Sequence, residues 1–207
     1  MRKGLVAFIG ALLMMLTMAI PSTNASPLKV VDVEVKVHLK IQCEDQNIVM
    51  NIDKQTISID PSKITLHPRE FLLIRITVHA GYDISEAEGI SILGCIDLGR
   101  SSGSIWFENV PGGFGIFLTR PHVEQVIGKS FSKTFLLLYV APSRMRIPPG
   151  GTEGTVHFMP WITFHCYYGS HCVDSKEVEP YKKLTINFKP RDTMIARVFE
   201  NLFGLSG

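Results

Sequence analysis

From Val31 to Cys43 the side chains alternate almost without fault. Val31, Val33, Val35, Val37, Leu39, Ile41 and Cys43 fall on one side, and Asp32, Glu34, Lys36, His38, Lys40 and Gln42 on the other. Successive side chains of a strand point to opposite faces, so this spacing predicts a long strand with one buried and one wet face, Cys43 inward. Ile57 and Ile59 continue the two-residue rhythm. Leu72, Ile74, Ile76 and Val78 repeat it with Arg75 and Thr77 outward, and Leu184, Ile186 and Phe188 alternate with Thr185 and Asn187. Further candidate strands lie at 104–109, 115–119, 134–140, 154–158 and 161–166.

Turn signals separate these runs: Asp60-Pro61-Ser62, His67-Pro68, Pro111-Gly-Gly113, Ala141-Pro142-Ser143 and Pro148-Pro-Gly-Gly151. Many short strands with Gly/Pro punctuation predict an all-β chain, an antiparallel β-sandwich over residues 27–190. Two helical segments are expected. One is a short turn around His122 to Ile127; the other is an amphipathic C-terminal helix within 191–207, where Met194, Ile195, Val198, Phe199, Leu202 and Phe203 recur at helical spacing between Asp192 and Gly204. An internal echo links Pro61-Ser-Lys-Ile-Thr-Leu-His-Pro68 to Pro142-Ser-Arg-Met-Arg-Ile-Pro-Pro149. Two small tandem modules would explain the echo, but only about 40 residues separate the second motif from Pro190, too few for a comfortable second sandwich, so a single sandwich using the pattern twice is the expectation and two modules the alternative. Over roughly residues 55–160 this order of strand, Pro-Ser turn and Pro-Gly turn resembles immunoglobulin-like surface modules. Turn chemistry carries that resemblance, and it implies a fold and no function.

The 207 residues, with a hydrophobic fraction of 45% and charged residues at 19%, suffice for one well-packed core. Lys and Arg exceed Asp and Glu by only two, and no basic run is longer than Arg2-Lys3 or Lys182-Lys183. A nucleic-acid surface needs a concentrated positive stripe, so that class is set aside. Arg2 and Lys3, the mostly apolar run from Leu5 to Ile20, and small residues at Thr23 and Ala25 read as a secretory signal over 1–25, cleaved after Ala25. The alternative is an uncleaved membrane anchor, although the run is short of the roughly 20 residues of a bilayer span and Pro21 closes it. Lys3-Gly4-Leu5 also resembles the processing site of archaeal type IV pilin-like precursors. No cysteine follows the apolar run to take a lipid.

Cys43, Cys95, Cys166 and Cys172 all lie in the portion that would be exported. An even count in an oxidising compartment favours two disulfides with three pairings open, Cys166 and Cys172 among the candidates for a small loop; free thiols are the alternative. The densest chemistry-bearing stretch runs from His157 through Met159, Trp161, His165 and Cys166 to His171-Cys172. Its Cys-x4-His-Cys spacing resembles the copper loop of cupredoxins, phytocyanins in particular. That resemblance implies a type 1 copper electron-transfer site with Cys166 and His171 as ligands, His79 or His67 as the second imidazole, and Cys172 bridged upstream. Lys176 stands where an axial methionine or glutamine is expected, and acidic residues follow from Asp174 to Glu179. The paired Cys-x2-Cys spacing of structural zinc is absent.

No Gly-x-Ser-x-Gly elbow, Walker loop or His-Glu-x-x-His helix is present. Arg100-Ser-Ser-Gly-Ser104 reads as a serine-rich turn, and His38 and His122 as solvated surface residues. The expectation is therefore a secreted or cell-surface module without enzymatic activity or cofactor, copper being the alternative. Its partners would be proteins or further copies of itself, engaged through an edge strand or the C-terminal helix, as in a surface layer or filament. The long strand at 31–43 is either internal or such an edge. Membrane contact would run through the N-terminal segment.

Overall fold

The computed structural model describes residues 28–44, 47–84, 89–98, 105–143, 147–148 and 150–191. The segment expected to be a secretory signal, the segment expected to be a C-terminal helix from Asp192 onward, the serine-rich stretch Arg100–Ser104 and part of the second Pro-Ser motif lie outside them. Thirteen strands follow one another, with no helix among the described residues: β1 (Lys29–Glu44), β2 (Asn47–Asp60), β3 (Lys63–Leu66), β4 (Phe71–Ile84), β5 (Ile90–Asp97), β6 (Ile105–Glu108), β7 (Phe114–Phe117), β8 (His122–Ile127), β9 (Ser130–Val140), β10 (Thr152–Phe158), β11 (Trp161–Tyr168), β12 (His171–Val178) and β13 (Lys182–Phe188). They form three open sheets in the orders β2-β1-β4-β9-β7, β3-β13-β10-β6 and β12-β11-β5-β8.

The alternation that starts the chain becomes β1, with Val31 through Ile41 buried at every second position. β1 is internal rather than an edge, flanked by β2 and β4. It pairs antiparallel with β2 but parallel with β4, and β3 pairs parallel with β13. The first two sheets are therefore mixed, which corrects the expectation of a purely antiparallel arrangement, while the third is antiparallel throughout. The reason is connectivity: a hairpin turns β2 back along β1, and β3 then crosses to the second sheet before β4 returns beside β1, the kind of crossover that parallel neighbours need.

One hydrophobic cluster joins the inward faces of all three sheets. It includes Val35 and Ile76 of the first, Leu184 and Ile186 of the second, and Ile96, Ile162 and Phe164 of the third. Two sequence expectations fail locally. His122–Ile127 is a strand and not a helical turn, because its backbone pairs with β5 from Ile92↔Ile127 to Asp97↔His122. The four cysteines are free thiols, which overturns the disulfide framework. Cys95 stands on the face of its strand away from buried Ile92, Gly94 and Ile96. Cys166 is buried among the core residues, and a bulge after it sets Cys172 opposite Tyr167 and leaves Asp174 opposite Cys166.

Candidate functional site

The outer face of the third sheet carries a compact group of metal-ligating side chains. In β5, Cys95 and Asp97 are two residues apart and share a face; in β8, His122 and Glu124 do the same. The antiparallel register places Cys95 against Glu124 and Asp97 against His122, so four polar side chains form a square on adjoining strands. A backbone bond from Leu98 N–H to the Pro121 carbonyl, 3.1 Å, fixes the strand ends that carry Asp97 and His122.

The distances are short. Cys95 Sγ lies 3.7 Å from His122 Nε2, and His122 Nε2 lies 3.5 Å from Glu124 Oε1. One donor atom from each of Cys95, His122 and Glu124 can be chosen so that all lie within 4.8 Å of one another. His122 Nδ1 faces Asp97 Oδ2 at 3.9 Å. Asp97 Oδ1 is buried without a hydrogen-bond partner. Burial pushes the Cys95 thiol up from its ordinary pKa, and the neighbouring Glu124 and Asp97 carboxylates push it further. At 21% side-chain exposure His122 is half-buried, not the solvated surface residue the sequence suggested. Asp97 and Glu124 escaped the sequence reading altogether. The available signal was a pair of two-residue spacings, Cys95-x-Asp97 and His122-x-Glu124, which has meaning only once the two strands are known to be neighbours.

The residues that the cupredoxin resemblance pointed to are not brought together. Cys166 is buried on the inward face of β11, where burial first, and then Asp174, Cys43 and Cys172, push its thiol up to about 11. His171 opens β12 in an exposed position. His79 lies in another sheet, on the solvent face of β4, with Nε2 3.4 Å from Glu34 Oε1. His67 sits in the turn before β4, its Nδ1 3.1 Å from the Lys189 carbonyl and 2.9 Å from that of Pro190. Cys43 ends β1 half-buried, and exposed Cys172 donates to the Asp174 carbonyl at 3.5 Å.

Two further features stand out on the surface. On the second sheet, buried His157 is stacked by Trp106, ring centroids 4.8 Å apart, hydrogen-bonded at Nδ1 to the Tyr181 hydroxyl, and approached at Nε2 by Glu108 at 2.8 Å. At the margin of the first sheet, β7 pairs with β9 and, among the described residues, with no strand on its other side. Its Phe114 and Ile116 are 55% and 48% exposed. Phe107 of β6, half-exposed itself, lies over Gly115 of this strand, where a Cβ would stand 3.3 Å from the ring. No protein-family model matches the chain, and no curated protein matches it either.

Proposed function

We propose that this chain is an exported, non-enzymatic module, an immunoglobulin-like β-sandwich, that acts at the cell surface through protein contacts and associates with further copies of itself along the open edge at β7. The observation that carries the reading is the character of that edge. An edge strand presents unpaired N–H and C=O groups, and soluble proteins usually blunt such edges with lysine, proline or a covering segment. β7 instead reads Phe114-Gly-Ile116-Phe117, with the phenyl ring and the isoleucine turned to solvent. Main-chain pairing with an added strand would supply affinity there, and the exposed apolar side chains specificity. The export half of the proposal rests on the charged start, apolar run and small residues of positions 1–25. The sandwich half rests on three open sheets that share one core.

Size-exclusion chromatography with light scattering on the mature protein tests the association. The expected result is a concentration-dependent oligomer that Ile116→Lys converts to monomer while leaving the circular dichroism unchanged. A wild-type protein that stays monomeric and binds nothing on the surface of the parent cell would refute it. Mass spectrometry of the secreted product tests export, with a chain beginning at Ser26 expected.

A further inference from the structure

We infer that Cys95, His122 and Glu124 form a binding site for a divalent transition ion of the zinc class, with Asp97 behind the histidine as its positioning carboxylate. The case starts from distances. Zinc holds sulfur at about 2.3 Å and imidazole nitrogen or carboxylate oxygen at about 2.0–2.2 Å in a tetrahedron, so its ligand atoms stand roughly 3.3–3.6 Å apart. The separations already present, 3.7 Å from Cys95 Sγ to His122 Nε2 and 3.5 Å from His122 Nε2 to Glu124 Oε1, are close to those edges. The third pair, Cys95 and Glu124, stands within 4.8 Å, so binding requires these two side chains to turn towards each other.

Three independent features point the same way. Ligating histidines usually turn their second ring nitrogen to a carboxylate that fixes the ring, and His122 Nδ1 faces Asp97 at 3.9 Å. Asp97 Oδ1 is buried and unpaired, an arrangement that is costly unless positive charge stands nearby. Among the described residues no lysine or arginine is in ion-pair contact with Asp97 or Glu124, and the histidine is the sole partner of both. A dication would neutralise the thiolate and the Glu124 carboxylate together.

The donor set selects the ion. A thiolate beside an imidazole disfavours magnesium and calcium, which take oxygen ligands, and suits zinc or its neighbours in the first transition row. With three protein ligands, one tetrahedral position stays open on the solvent side, where Glu124 is 64% exposed, and water or a donor from a partner can occupy it. The site lies on the third sheet, while the association edge lies on the first, so either proposal can fail without the other.

Cobalt(II) replaces zinc in such sites and reports a bound thiolate by a charge-transfer absorption, so titration of the reduced full-length protein with cobalt is the test. The expected result is one ion per chain, the thiolate band present, and its loss on adding zinc. Cys95→Ser should abolish the band, whereas Cys172→Ser should keep it. Glu124→Gln, on an exposed side chain that the fold does not need, should weaken binding at least tenfold, and Asp97→Asn by about 10- to 100-fold. Absence of stoichiometric binding by the folded wild type would overturn the inference. So would a band that survives Cys95→Ser but vanishes with Cys172→Ser, or an affinity unchanged by Glu124→Gln.

Discussion

Glu70, 5% exposed, accepts a hydrogen bond from Lys29 Nζ at 2.5 Å and another from the His67 N–H at 2.9 Å, which ties the turn before β4 to the start of β1. Burial alone would raise its carboxyl, but the Lys29 bond, the backbone bond and the positive charge outweigh it, and the pKa lies below the ordinary carboxylate value. A carboxylate depressed on folding contributes stability that is fully present above its unfolded pKa of about 4.3 and is lost as pH falls through the lower folded value. Glu70→Gln should therefore cost about 1.5–3 kcal/mol near neutral pH, with the gap to wild type closing in acid, as read by urea unfolding across pH. Asp32 follows the same sign through its hydrogen bonds to Arg75, more weakly because the pair is exposed. Among the thiols, exposed Cys172 should be alkylated first in the native protein, while buried Cys166, its pKa pushed up to about 11, should react only on unfolding. Peptide mapping after timed iodoacetamide treatment reads both. None of these residue environments was visible in the sequence, since Lys29 and Glu70 are 41 positions apart and meet only across the fold.

At the scale of elements, legibility followed the alternation of apolar with polar side chains, and strands without it, such as β12, were not read. β1, β4 and β13 each have one wet face, so their apolar residues alternate with polar ones and the strands could be read directly. β5 was missed because Leu93 and Cys95 stand on its outer face and Gly94 on its inner one, which blurs the polar alternation of Ile90-Ser-Ile-Leu-Gly-Cys-Ile-Asp97 although its burial alternates. β8 was misread for a different reason. Val123, Val126 and Ile127 fall at helical spacing, but six residues are too few to distinguish the two periods, and pairing with β5 leaves Val126 on the outer face while Ile127 is buried. The turn chemistry was more reliable. Pro111-Gly-Gly113 leads into β7, and Gly113 has φ +88°, a region that glycine favours, with a Cβ there only 2.4 Å from the Val140 carbonyl oxygen. Gly113→Ala should cost at least about 1–3 kcal/mol and displace β7, seen as lower denaturant midpoint and faster amide exchange in residues 114–117.

For the whole molecule, stability depends on the single cluster that the three inward faces share. Phe135 of β9 is fully buried within it, and Phe135→Ala should destabilise by about 3–5 kcal/mol in chemical denaturation, in one transition if the sheets unfold together. The sequence by itself determined which residues turn inward along β1, β4 and β13, because alternation is a local property of an extended backbone and needs no knowledge of the partner strand. It also determined where the chain turns, since proline and glycine restrict or free the backbone wherever they stand. Only the tertiary structure decided which strands are neighbours and in what register. That choice made β1 internal, ran it parallel to β4, kept the four thiols unbridged and set Cys95 and Asp97 against Glu124 and His122. Pairing partners are selected by how all the apolar faces pack at once, so a site formed across two strands some 25 residues apart emerges from the fold and not from any local pattern in the chain.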